Sequence, residues 1–120
     1  MAKTILVADD DHGQVSLLEK ALAQRGYAVL TAFDGQTALE LAKSRKPDLI
    51  VLDVAMPGMD GDMVAMYLKA PDSPVKNVPI IIVTGLKTEQ EILEEKEENM
   101  FAKPVPMERF FERVDALTRK

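Results

Sequence analysis

The chain has 120 residues, 47% hydrophobic and 29% charged, the balance of one ordinary globular domain with a single real core. It contains no cysteine, which excludes disulfide frameworks, thiolate zinc sites, iron–sulfur clusters and cysteine nucleophiles. The formal charge is −5, and residues 87–98 carry six glutamates against two lysines, so the remainder is nearly neutral. No basic stripe is available to neutralise phosphates, and nucleic acid is not an expected partner. The longest apolar runs, 49–52 and 78–83, are far too short to span a bilayer, and the opening Met1-Ala2-Lys3 lacks signal-peptide anatomy. A cytoplasmic setting without a membrane is the expectation.

In chain order, Thr4 to Ala8 is a short apolar run ending in the acidic triplet Asp9-Asp10-Asp11 and reads as a buried strand. Val15, Leu18 and Leu22 recur at helical spacing and predict a helix over 14–25, closed by Gly26. Ala28 to Ala32 reads as a second strand, after which Asp34-Gly35 starts a helix carrying Ala38, Leu39, Leu41 and Ala42. That helix must stop near Lys46, before Pro47. Leu49 to Leu52 is apolar at every position, the pattern of a central parallel strand covered on both faces, and it delivers Asp53 to its end. A loop punctuated by Pro57, Gly58 and Gly61 leads to a third helix containing Met63, Val64, Met66, Tyr67 and Leu68. After the Pro-rich stretch 70–79, Ile80 to Val83 reads as a fourth strand ending at Thr84. Residues 89–98 are helical by propensity, with only Ile92 and Leu93 as an apolar stripe. A brief strand over Met100 to Ala102 ends at Lys103. A last helix carries Met107, Phe110, Phe111, Val114 and Leu117.

Five strands alternating with five helices argue for an α/β, doubly wound parallel sheet with helices on both faces. In such sheets chemistry gathers at the carboxyl ends of the strands. To that edge the chain brings Asp9 and Asp10 from the first strand, Asp53 from the third, Thr84 from the fourth and Lys103 from the fifth. Three converging carboxylates repel one another unless a cation joins them. Oxygen donors without histidine or cysteine select a hard ion, and so small a carboxylate set suits Mg²⁺. A carboxylate beside Mg²⁺, an ammonium and a hydroxyl is equipment for phosphoryl transfer, with Asp53 as the nucleophile and Thr84 and Lys103 holding the incoming group. Taken singly, each residue is more often a cap, a turn residue or a solvated lysine; the coincidence at four strand ends carries the reading.

The segments Ile5 to Asp10, Leu49 to Gly61 (LIVLDVAMPGMDG), Pro79 to Gly85 (PIIIVTG) and Ala102-Lys103-Pro104 together resemble the receiver domain of two-component response regulators. The resemblance covers residues 1–120 as one domain and implies a flavodoxin-like sheet of strand order 2-1-3-4-5. It implies that Asp53 is the phosphoacceptor, Asp10 a direct Mg²⁺ ligand, Asp9 a ligand through water and Ala55 a backbone-carbonyl ligand. It further implies that Thr84 is the switch hydroxyl, and that Lys103, before a cis bond to Pro104, pairs with a phosphate oxygen. The implied partner is a sensor histidine kinase or histidine phosphotransfer domain. The activity is self-modifying rather than turnover of a free substrate. Two departures stand out: Met100 occupies the place, three residues before the lysine, where the family usually has Tyr or Phe, and the segment between Thr84 and Lys103 is short, which predicts a shortened or displaced fourth helix.

Rival functions are weaker. An aspartate-nucleophile phosphatase needs a second acid two residues after the nucleophile, where Ala55 stands. A flavin-phosphate binder would meet the repulsion of Asp9-Asp10-Asp11, and no P-loop or dinucleotide fingerprint is present. A pseudo-receiver, a binding module that is not phosphorylated, is the remaining alternative. His12 reads as a partly exposed loop residue, Met63, Met66 and Met107 as core, Met56 and Met59 as partly exposed, and the glutamate run as a solvated helix face. With no effector segment visible, a single-domain regulator acting by protein contact is the expectation, with a fragment of a larger regulator or hybrid kinase as the alternative; the output target is not encoded in any motif.

Overall fold

A computed structural model describes residues 2–119. Its strands are β1 (Thr4–Ala8), β2 (Ala28–Ala32), β3 (Leu49–Asp53), β4 (Ile80–Thr84) and β5 (Met100–Ala102), and its helices are α1 (His12–Gln24), α2 (Gly35–Arg45), α3 (Gly61–Leu68), α4 (Glu89–Glu94) and α5 (Met107–Thr118). All strand pairs are parallel, in the order β2-β1-β3-β4-β5, as expected for right-handed crossovers that place helices on both faces.

Alternation along the strands divides the core in two. Ile5, Val7, Leu49, Val51, Ile81 and Val83 face α1 and α5, meeting Leu18, Leu22, Phe110 and Val114. Leu6, Ala8, Ile50 and Leu52 face α2 and α3, meeting Ala38, Ala42, Val64 and Leu68. Each residue of β3 is buried, which accounts for its uninterrupted apolar sequence up to Asp53.

Helix ends follow local chemistry. Asp11, Asp34 and Asp60 are the N-caps of α1, α2 and α3, their carboxylates accepting from backbone N–H groups two or three residues on. At the far end of α1, Gly26 has φ +93° and the Tyr27 and Gly26 N–H groups donate to the carbonyls of Leu22 and Ala23, a Schellman closure. The same closure ends α4, where Lys96 takes φ 58° and the Glu97 and Lys96 N–H groups donate to Ile92 and Leu93. The helix anticipated over 89–98 therefore stops at Glu94: its one buried anchor is Ile92, while Leu93 is 63% exposed, and a like-charged run has nothing further to bury. The shortened fourth helix is as expected.

Four side-chain expectations are corrected. On α3 the buried stripe is Gly61, Val64 and Leu68, which leaves Met63 and Met66 on the outer face with Tyr67, Met66 being 63% exposed. Met107 is half-buried against the α1–α5 core. Met56, expected to be partly exposed, is buried in the α2–α3 core, because the loop after β3 folds back over the sheet; Met59 is half-buried. His12 is not a loop residue but the first residue of α1, exposed, with its ring stacked on Phe33 at 3.8 Å between centroids. Among the described residues no helix is long and apolar enough to cross a membrane.

Candidate functional site

Parallel registry places the carboxyl ends of β1 and β3 side by side, Ala8 opposite Leu52, so the next residues, Asp9 and Asp53, emerge together at the sheet edge. Asp9, Asp10 and Asp53 can each offer an oxygen such that all three lie within 4.8 Å of one another. Asp9 and Asp53 are 3% and 5% exposed, whereas Asp10 is exposed; the cluster thus has a buried floor and an open side.

Lys103 reaches this floor from β5. Its Nζ lies 2.8 Å from Asp9 Oδ2 and 3.3 Å from Asp53 Oδ1. Its backbone N–H donates to the Thr84 carbonyl at 2.8 Å, and the Lys103–Pro104 bond is cis. One ammonium therefore serves two buried carboxylates, leaving an excess of negative charge. Burial, followed by the charge of Asp9, pushes the Asp53 carboxyl above the usual aspartate range, with Lys103 opposing both. Burial works against the Lys103 charge, but the bonds and charges of Asp9 and Asp53 outweigh it, and its pKa is raised. Asp9 Oδ1 also accepts the Asp11 N–H at 3.0 Å, which anchors the acidic turn at the start of α1.

Thr84 ends β4, one residue past Val83, the registry partner of Asp53. Its side chain is buried, and its hydroxyl accepts the Leu86 N–H at 3.0 Å. Ala55 is exposed in the loop between β3 and α3. The residues anticipated at four strand ends therefore converge on one edge. The donor set is all oxygen, two of the three carboxylates are buried, and among the described residues one cation, Lys103, pairs with them, which fits a small hard divalent ion.

Two contributors escaped the sequence reading. Asp11 caps α1, with its Oδ1 accepting from Gly13 and Gln14; its signal was present, since an Asp ahead of a helical stripe is an ordinary N-cap. Glu89, placed in a solvated acidic face, instead accepts the Ala102 N–H at 3.0 Å and meets Arg109 in an ion pair. Nothing in a glutamate-rich run distinguishes that residue. Phe101, beside Met100, is buried and packs edge-on to Phe110, at 5.8 Å between centroids.

The profile of the response regulator receiver domain matches residues 5–115. The response regulator PleD of Caulobacter vibrioides is 41% identical over 122 residues, covering 99% of this chain and 27% of PleD. The alkaline phosphatase synthesis transcriptional regulatory protein PhoP of Bacillus subtilis is 51% identical over 69 residues, covering 58% of this chain and 29% of PhoP. The chain thus spans well under half the length of these relatives. Among solved structures, the signal receiver domain of a signal transduction histidine kinase from Syntrophus aciditrophicus superposes with a TM-score of 0.83 at 29% identity, over 98% of this chain and 90% of that one. The non-phosphorylated HemR receiver domain from Leptospira biflexa gives a TM-score of 0.78 at 28% identity, over 98% and 95%. With the acidic edge, the strand order and the profile in agreement, this chain belongs to the response regulator receiver domain family, the receivers of two-component signalling.

Proposed function

We propose that residues 1–120 act as one receiver domain that takes a phosphoryl group onto Asp53 from the phosphohistidine of a sensor kinase or phosphotransfer domain. The observation that carries this reading is the convergence of the Asp9, Asp10 and Asp53 carboxylates within 4.8 Å, with Lys103 spanning Asp9 and Asp53. Asp10 directly, Asp9 through water, Asp53 and the Ala55 carbonyl would hold Mg²⁺. When bound, that ion supplies neutralisation of charge on the equatorial phosphoryl oxygens.

Asp53 attacks as the carboxylate. A bond forms between its oxygen and phosphorus while the P–N bond of the donor breaks, its electron pair leaving with the imidazole nitrogen. Lys103 keeps Asp53 ionised against burial and then pairs with a phosphoryl oxygen. Thr84, at the adjoining strand end, accepts the Leu86 N–H and keeps its hydroxyl hydrogen to offer to another oxygen. The chemistry modifies the protein itself. No free substrate is turned over, and a cytoplasmic setting follows from a kinase donor. Phosphorylation exchanges the single charge of the Asp53 carboxylate for the roughly two of an acyl phosphate, a net gain of about one negative charge with three new acceptor oxygens at an edge that already carries an excess, which supplies the drive for a change in conformation and hence for signalling to a downstream protein.

Incubation with acetyl phosphate and Mg²⁺ tests this by intact mass. One phosphoryl increment is expected on the wild type and none on Asp53→Asn or after chelation by EDTA. An unmodified wild type, with no Mg²⁺-dependent change in its NMR spectrum, would leave a protein-binding module that is not phosphorylated.

A further inference from the structure

Both helices that flank the loop after β3 open on the same dipeptide: Asp34-Gly35 begins α2 and Asp60-Gly61 begins α3. The aspartates are N-caps. The glycines are buried at the first helical position, and neither has a positive φ, so backbone conformation does not require glycine there. Space does. A Cβ on Gly61 would stand 2.2 Å from the Asp53 carbonyl oxygen and 3.1 Å from Val54 Cα, and a Cβ on Gly35 would stand 2.1 Å from the Met59 carbonyl oxygen. In each case the obstacle is backbone, which cannot swing aside as a flexible side chain would. The Gly61 N–H also donates to the Val54 carbonyl at 2.9 Å.

We propose that Gly35 and Gly61 are positioning residues that form a two-sided seat for the loop carrying Asp53 and Ala55. Gly61 lets the first turn of α3 rest directly on the backbone of Asp53 and Val54. Gly35 lets α2 press on the other end of the loop at Met59. Held at both ends, the segment between them has little freedom to move Asp53 or the Ala55 carbonyl away from Asp9 and Asp10. A methyl group at either place must displace the loop, and at Gly61 the displacement begins at the phosphoacceptor itself. This inference rests on the functional reading above only for its consequence in metal binding; the seat itself is a statement about packing.

The test uses Gly61→Ala, Gly35→Ala and Gly85→Ala in protein carrying ¹³C-labelled aspartate and uniform ¹⁵N. Gly85 is the matched control, since a Cβ there meets nothing within 4 Å. Without metal, Gly61→Ala is expected to shift the Asp53 carboxyl carbon and the amides of Val54 and Ala55, leaving β2 and β5 unchanged. On Mg²⁺ titration its apparent Kd is expected to rise about 10- to 100-fold, the range for loss of a group that orients metal ligands. Gly35→Ala is expected to move the amides of residues 56–60 most and to weaken Mg²⁺ binding less, with Gly85→Ala matching the wild type in both readings. A folded Gly61→Ala with wild-type shifts at residues 53–55 and wild-type Mg²⁺ affinity would overturn the seat. Should Gly61→Ala not fold, Gly35→Ala decides by the same two readings, its contact lying farther from the acidic floor. If the wild type shows no Mg²⁺ response, the functional reading fails, and the metal-free shifts still decide the seat.

Discussion

The two sides of the carboxyl edge are built differently. At β1 and β3 the site rests on strands that are buried almost throughout, and its geometry follows from registry between parallel neighbours and from helices in direct contact with backbone. At β4 and β5 the support is a three-residue edge strand and a six-residue helix, anchored by the buried Phe101 and Ile92 and otherwise tied by a few polar contacts. Glu89 holds the Ala102 N–H and Arg109, Lys87 pairs with Glu95 at 2.5 Å, and Arg113 donates to Asn99 at 2.6 Å. The difference teaches that the Asp9–Asp53 side is secured mainly by apolar burial and registry, whereas the shoulder that holds Lys103 leans more on polar contacts. Segments secured by few apolar contacts open at lower free energy than a core does. The side that carries Lys103 is therefore expected to open more readily than the side that carries Asp53.

Removing the cation should break the contrast most sharply. Lys103→Met leaves Asp9 and Asp53 buried without their shared ammonium, and a loss of about 1–3 kcal/mol in urea unfolding is expected for metal-free protein. The reverse change is milder. The Asp53 carboxyl is held above its usual range by burial and by Asp9, so its contribution to stability is present below the unfolded pKa and falls away as pH rises through the native one. At neutral pH its charge is therefore a cost, and Asp53→Asn should melt above the wild type without Mg²⁺ by roughly 1 kcal/mol, or about 3–6 °C for a chain of this length.

On the shoulder, Glu89→Gln keeps an oxygen for the Ala102 N–H but removes the charge from Arg109. A loss of about 0.5–1 kcal/mol is expected, together with faster hydrogen exchange at Phe101 and Ala102 and unchanged exchange in β3. Equal acceleration in β3 would erase the distinction between the two sides. The smallest effect lies away from the edge, where Asp115 accepts from Tyr27 and pairs with Arg25 at 2.8 Å. The Tyr27 hydrogen bond, aided by Arg25 against a burial penalty, holds the Asp115 carboxyl below the usual range. Its stabilisation is thus present above about 3.8, the ordinary value, and is lost as pH falls through the native one. Tyr27→Phe should cost about 0.5–1 kcal/mol at neutral pH and flatten the acid limb of a Tm-against-pH curve.

The Asp9–Asp53 side was legible in the sequence because its rules are local and repetitive. Continuous apolar runs such as Leu49 to Leu52 mark buried parallel strands, and an Asp at the end of one has only the sheet edge to occupy. The strand Met100 to Ala102 was legible for the same reason, its boundary set by Lys103 and Pro104. The shoulder was not legible to the same degree. Helix propensity over 89–98 carries no sign of the left-handed turn at Lys96 that ends α4, a helix in which Ile92 alone is buried. Glu89 is indistinguishable by composition from Glu91 or Glu94, and its contact with Ala102 exists only once β5 lies beside it. On α3 a methionine was no guide to burial, because Gly61, Val64 and Leu68 already fill the inner stripe. The buried Met56 shows the converse, a loop residue drawn into the core by the fold-back of the segment that Gly35 and Gly61 confine.

The central claim concerns where one phosphoryl group and one ion are held, and a crystal structure grown with Mg²⁺ and beryllofluoride tests it most directly. The account predicts the beryllium bonded to an Asp53 oxygen, the ion touching Asp10, Asp53 and the Ala55 carbonyl, and Lys103 turned from Asp9 onto a fluoride. Beryllofluoride on any other side chain, or Mg²⁺ bound without Asp10 and Asp53, would contradict it.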